Sequence, residues 1–206
     1  MRLAPLLAAL ITLAGCETGL PACVPPDSVV TDIDETLTTD DFEWITQLID
    51  PEHDPEMRPD ANALMRSYDE LGYTVYYITA RGEAMELPDG RTAREATRDW
   101  LEDHGFPVRD GTLFLAPGNG ALGDAAVEYK ASTIEDLELA GWPARYAYGN
   151  ADTDIEAFQQ AGIPDDRIFA VGDDCDELDG LDIPDDDAFV VHVEEHLPTV
   201  PEAECE

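Results

Sequence analysis

Short apolar runs alternate along this chain with longer stretches whose apolar residues recur every three or four positions. Residues 28–33 form a β-branched run that ends in carboxylates, and 74–78 form a second apolar run. Between them, 59–71 has helical character and is closed by Gly72, which gives strand, helix, glycine stop, strand. Residues 91–104 place Ala93, Ala96, Trp100 and Leu101 on one side of a predicted helix. Gly105 and Pro107 end it before a strand at 112–116. A second unit follows, with helix at 121–139, strand at 145–148, helix at 152–161 stopped by Gly162-Ile163-Pro164, and strand at 167–171. A last apolar run, 189–193, is predicted to close the sheet. Strands alternating with helices of this length predict an α/β fold, a doubly wound parallel sheet whose ligands sit at the carboxyl ends of the strands. There is no internal repeat.

The composition supports a folded core: 206 residues are 44% hydrophobic, with seven Tyr, six Phe and three Trp. The charge is extreme. Asp and Glu number 47 against 11 Lys and Arg, a formal net charge of −36, which repels nucleic acid and anionic lipid surfaces alike. Nucleic acid is therefore excluded as a partner. Acidic runs such as 173–177 and 185–187 read as solvated loops. Only one of the basic residues is a lysine, Lys130.

The first residues read as a targeting segment. Arg2 precedes an apolar run, 3–13, too short to span a bilayer, and Leu13-Ala14-Gly15-Cys16 follows directly. This box resembles a bacterial lipoprotein signal, which implies lipidation at Cys16 and export to the cell envelope as a membrane-anchored protein. The Pro- and Gly-containing stretch after Cys16 cannot sustain helix or central strand and reads as a tether. The expected organisation is a signal peptide at 1–15, a tether at 16–27, a folded domain at 28–197 and an acidic tail at 198–206. Cys23, Cys175 and Cys205 would then supply one disulfide and one spare thiol in an oxidising compartment. Cys175 with Cys205 is the favoured pair, since both follow predicted strands that end on one face of the sheet. Their spacing matches no zinc pattern.

The chemistry centres on Val29-Val30-Thr31-Asp32-Ile33-Asp34-Glu35-Thr36-Leu37-Thr38. Two carboxylates separated by one residue on an extended chain lie on the same side. Like charges held together raise one another's pKa, a cost that a cation or a divided chemical role offsets. One carboxylate is suited to attack phosphorus, the other to donate a proton to the leaving oxygen and then to activate water. A turn or capping cluster is the plainer alternative.

This segment resembles the first signature of haloacid dehalogenase-type phosphatases, Asp-x-Asp-x-Thr. The resemblance implies Asp32 as nucleophile and Asp34 as acid/base, with Mg²⁺ as cofactor, held by Asp32 and by the Asp34 backbone carbonyl. Three later segments resemble the remaining signatures in order. Tyr77-Ile78-Thr79-Ala80-Arg81 would place the Thr79 hydroxyl on a phosphate oxygen. Lys130 matches the lysine that binds phosphate and steadies the nucleophile. Gly149-Asn150-Ala151-Asp152-Thr153-Asp154 resembles the acidic metal signature with Asn150 in place of its first Asp. Asp154 is then the main side-chain ligand, Asn150 a weaker or water-mediated one, and Asp152 a helix N-terminal charge.

Within that superfamily, Thr79-Ala80-Arg81, the 96–101 helix and Gly149-Asn150 look most like the catalytic domain of lipins and of related phosphatidylinositol-transfer proteins. About forty residues between Asp34 and Thr79 leave room for a minimal cap or none. The resemblance implies a phosphomonoester substrate, with phosphatidate or a related lipid phosphate first. Glu35, where lipins carry Gly, instead resembles exported acid phosphatases acting on small soluble phosphomonoesters. A non-catalytic phosphatidate-binding module is a third reading. Arg81 is a further candidate for phosphate binding; Arg94 and Arg98 read as surface residues.

Overall fold

The computed structural model describes residues 27–40, 42–172, 181–183 and 189–204. Cys16, Cys23, Cys175 and Cys205 lie outside them, as do the predicted leader and the tether up to residue 26. The described chain runs β1 (Ser28–Thr31), α1 (Phe42–Ile49), α2 (Ala61–Glu70), β2 (Thr74–Gly82), α3 (Ala93–Asp103), β3 (Leu113–Ala116), α4 (Asp124–Leu139), β4 (Ala144–Gly149), α5 (Asp152–Gln160), β5 (Ile168–Val171), β6 (Leu181–Ile183) and α6 (Val190–Glu195). Among the described residues no helix is long and apolar enough to cross a membrane.

The strands form one sheet in the order β3-β2-β1-β4-β5-β6, with every pairing parallel. The predicted doubly wound α/β fold is therefore the observed one. The order reverses between β1 and β4, so the crevice at their carboxyl ends is the place where such sheets take ligands. Side chains alternate across β1. Val29 packs with Leu64, Tyr77 and Trp100 on the face covered by α2, α3 and α6, while Val30 packs with Ile134, Phe158 and Ile168 on the α4–α5 face. Both faces are covered, and this is why the strands read as continuous apolar runs.

Most predicted elements form within a few residues of the expected bounds. α3 starts late because Thr92 caps it: its hydroxyl accepts from the Glu95 N–H, and Glu95 accepts from the Thr92 N–H in return. Two predictions fail. Residues 189–193, expected as the closing strand, begin a helix instead, and the edge strand is β6. The β-branched run suggested a strand locally, but Phe189, His192, Val193, His196 and Leu197 recur at helical spacing and pack over the β4–β5 surface. The fold also continues past 197. Val200 is buried, Ala203 N–H donates to the Leu71 carbonyl at 2.9 Å, and the Tyr73 hydroxyl donates to the Pro201 carbonyl at 3.2 Å. Residues 198–204, within the stretch expected as an acidic tail, therefore pack on the domain.

α1 was not foreseen. It lies in an excursion, 39–56, whose ends are held by an antiparallel bridge between Thr38 and Met57 and by Arg58 N–H donating to the Leu37 carbonyl at 2.9 Å. This is a minimal cap, consistent with the expectation from the short Asp34–Thr79 interval.

Inside the α6 face, the Tyr148 hydroxyl is hydrogen-bonded to the Tyr68 hydroxyl and to His192 Nε2, each at 2.8 Å. Burial, reinforced by neighbouring His196, pushes the His192 imidazole down to about 3. A depressed histidine is neutral in the fold and protonates more readily in the unfolded chain, so stability falls as pH drops from the ordinary imidazole range toward 3. His192→Gln is expected to recover about 1–2 kcal/mol of the stability that the native chain loses between pH 7 and pH 5. Denaturant unfolding at the two pH values measures this; an unchanged loss refutes it.

Candidate active site

β1, β2 and β4 deliver their carboxyl ends to one cavity of about 500 Å³. Asp32 follows β1 directly and hydrogen-bonds through its N–H to the Tyr148 carbonyl of β4 at 2.9 Å, which fixes its backbone. Its carboxylate is 5% exposed. Lys130, 3% exposed and projecting from the middle of α4, places Nζ 2.8 Å from Asp32 Oδ1 and also pairs with Asp154 Oδ1. Beyond this ammonium, Asp32 Oδ1 has no hydrogen-bond partner among the described residues. Burial comes first in pushing Asp32 up to about 7, followed in the same direction by the charges of Asp154 and Asp34, with Lys130 opposing them. Burial acts to lower Lys130, but Asp154 and Asp32 overcome it and hold its ammonium well above the usual lysine range.

Asp154, 1% exposed, closes over the end of β4. Its Oδ2 accepts from the N–H groups of Asn150 and Ala151 at 3.2 and 3.3 Å, so the acid caps the start of α5. This fold-back requires Gly149, because a Cβ there would lie 2.5 Å from the Asp154 Cβ. Asn150 is tied to the β1 loop: its Oδ1 accepts from the Thr36 hydroxyl at 3.0 Å and its Nδ2 donates to Glu35 Oε2 at 2.9 Å. Glu35 itself sits at φ 56, the left-handed region that favours glycine, and its N–H donates to the Thr38 hydroxyl at 2.9 Å.

Asp34 is held from the other side. Arg81, its side chain 1% exposed, donates from Nη2 to Asp34 Oδ1 at 2.7 Å and from Nε to both carboxylate oxygens at 3.0–3.1 Å. The remaining Arg81 nitrogen donates to the Thr97 hydroxyl at 2.8 Å, and Trp44 of α1 covers the guanidinium at 4.2 Å. Thr79, expected on a phosphate oxygen, is fully buried, and its hydroxyl donates to Asp34 Oδ2 at 3.1 Å. β2 then ends at Gly82, packed so closely on Asn119 that a Cβ would lie 2.2 Å from its carbonyl carbon, which brings the 119–123 loop to the cavity rim.

Asp32, Asp34, Lys130, Asn150 and Asp154 thus line one cavity, and Thr79 joins them through its hydrogen bond to Asp34. Arg94 and Arg98 pair instead with Glu83 and with Glu102 at the surface. Arg81's clasp on Asp34 and the α1 wall of Trp44, Ile45 and Leu48 were missed, although their helical spacing was available.

Among the described residues no three His, Cys, Asp or Glu side chains form a metal cage. Two buried carboxylates, Asp32 and Asp154, nevertheless share one ammonium, and one Asp32 oxygen is underused. That excess of hard anionic oxygen fits a cation such as Mg²⁺, which keeps water and phosphate oxygens among its ligands.

The parallel α/β sheet thus gathers an acid pair, a buried lysine and a third acid at its switch point, where such sheets take ligands. The chain belongs to the LNS2 domain family of PITM 1-3, whose model matches residues 29–172. Over 119 residues, 58% of this chain, it is 31% identical to the membrane-associated phosphatidylinositol transfer protein 3 of Homo sapiens, of which that covers 11%. Over 162 residues, 69% of this chain, it is 28% identical to the phosphatidate phosphatase LPIN2 of Mus musculus, covering 16% of it. It therefore spans only a small part of these relatives. A class C acid phosphatase from Bacillus anthracis, solved with tungstate bound, is 17% identical with a TM-score of 0.44, over 62% of this chain and 53% of that one.

Removing one partner of a buried ion cluster leaves uncompensated charge, typically at a cost of about 3–5 kcal/mol. Lys130→Met is expected to lose stability of that order at pH 7 by denaturant unfolding. A loss under ~1 kcal/mol would show that Lys130 does not neutralise these acids.

Proposed function

We propose that this chain is a Mg²⁺-dependent phosphomonoester hydrolase that works through an aspartyl phosphate, with phosphatidate or a related lipid phosphate as substrate. The observation that carries this reading is Asp32, a buried, underbonded carboxylate at the cavity floor beside a buried lysine. The similarity to a phosphatidate phosphatase supports the substrate class.

In this reading an Asp32 oxygen attacks phosphorus and forms the acyl phosphate while the bond to the leaving oxygen breaks. Lys130 balances the charge that develops beside Asp32. Asp34 gives its proton to the leaving oxygen, then takes one from the water that hydrolyses the intermediate. Arg81 and Thr79 orient Asp34 for both transfers. Asp32, Asp154 and the Asp34 carbonyl would hold Mg²⁺, with Asn150 the weaker ligand. When bound, the ion offsets negative charge on phosphate and carboxylates. The site needs this: Asp32, Asp34, Glu35 and Asp154 line the cavity against only Arg81 and Lys130, so a phosphate dianion alone meets net repulsion.

One observation favours a second reading, phosphate binding without hydrolysis: both Asp34 oxygens are already engaged by Arg81 and Thr79. For location, the proposal is an exported lipoprotein of the bacterial envelope anchored through Cys16, supported by the leader box.

Phosphate release should require Mg²⁺ and should be abolished by Asp32→Asn, measured on phosphatidate in detergent and on a soluble aryl phosphate. Asp34→Asn should lose at least about tenfold more rate on the alkyl-type leaving group than on the aryl one, which leaves readily without a proton. Bound phosphatidate with no release from either substrate would replace the hydrolase reading with the binder. A higher rate on the aryl phosphate than on phosphatidate would favour the soluble substrate class.

A further inference from the structure

α1 is apolar on two sides. Trp44 and Leu48 pack inward, while Phe42, Ile45 and Ile49, at spacings of three and four, face outward with exposures of 70%, 47% and 76%. Leu122, 89% exposed, stands on the opposite rim. Ile45 and Leu122 both line the cavity that holds Asp32 and Lys130, so this apolar surface is continuous with the mouth of the site. α1 therefore carries a second apolar stripe beyond the one that packs on the domain. In a chain with a net charge of −36, two large exposed apolar side chains at the opening, with Phe42 and Ile49 exposed on the same helix as Ile45, are the kind of patch that marks an interaction surface.

We infer that the α1–Leu122 rim docks on a zwitterionic phospholipid surface and that the site takes its phosphomonoester from that surface. This deepens the proposed function and rests on it for the substrate. The position of the patch selects the occupant: a protein or a second copy seated there would cover the mouth, whereas a lipid layer covers it with substrate. Charge selects the kind of lipid. Asp40, Asp50, Glu52 and Asp54 are exposed around α1, the neighbouring Glu43 is tied to His53, and no Lys or Arg lies within 42–49, so an anionic surface is repelled. Short apolar helices bind interfaces by shallow burial of such a face. Asp27 enters the fold at the amino edge of β1, opposite the rim, so the rim is not where the first 26 residues join the domain.

The test uses the full chain with Cys16→Ser, so that no acyl chain forms there. Hydrogen–deuterium exchange is read across 42–49 and 119–123 with and without phosphatidylcholine vesicles, and with vesicles enriched in phosphatidylserine. Phosphate release is read on vesicle-borne phosphatidate and on a soluble aryl phosphate, for the native surface and for Phe42→Ser/Ile49→Ser. The expected result is slowed exchange in both segments on phosphatidylcholine, less on phosphatidylserine. The double variant should lose that protection and at least about tenfold in rate on vesicle-borne substrate while retaining the aryl rate, since two large apolar side chains leave the interface. Equal loss on both substrates would show a structural role and overturn the inference. So would absence of protection, protection that needs anionic lipid, protection already present without vesicles, or self-association that the same variant abolishes. If no phosphate is released from any substrate, the hydrolase reading fails, and the exchange data still decide whether the rim docks on lipid.

Discussion

The structure depends on a charge problem at the end of its central strand. Two carboxylates, Asp32 and Asp154, are buried where β1 and β4 diverge, and a single ammonium from α4 stands between them. Desolvating three ions is costly unless each has compensation close by. Local features answer this demand: Gly149 lets Asp154 fold over the strand end, two backbone N–H groups cap it, and α4 carries Lys130 to the centre of the crevice from the middle of a long helix. The compensation is incomplete. One Asp32 oxygen stays underbonded and its carboxyl rises to about 7, so the site is set up for a further positive group.

A second cluster is built on Asp34, two residues along the chain from Asp32. Arg81 binds Asp34 along one edge, Thr97 at another and stacks under Trp44. The acid/base candidate, helix α3 and the small cap are thereby coupled through one guanidinium. Because both cations of the cavity are engaged by acids, phosphate recognition has no free positive side chain to rely on there. The proposed cation would redress that balance.

The acidity of the chain and the apolar rim of the site describe two different surfaces. Solvated carboxylates keep most of the exterior away from anionic partners. At the opening, Ile45 and Leu122 replace that surface by hydrocarbon, and Phe42 and Ile49 extend it along α1. The contrast is what the proposed docking on a neutral lipid layer uses.

Alternating apolar runs and helical stretches determined the parallel α/β architecture, because a sheet covered on both faces leaves its period in the residues themselves. The Asp32–Asp34 spacing and the sole lysine were likewise legible, since residue type and strand-end position are local facts. Other features depended on partners distant in sequence. Residues 189–193 have strand-like composition, yet Tyr148 and Phe169 offered a surface that a helix covers with Phe189, His192 and Val193. The last residues read as an acidic tail by composition, and only the fold showed Leu71 and Tyr73 as hydrogen-bond partners of 201–203. Thr79 had the residue type for a phosphate contact, but only the fold showed its hydroxyl directed at Asp34. Sequence alone specified which groups carry charge and which elements they end; tertiary structure decided which charge each one meets, because that choice is made by long-range packing.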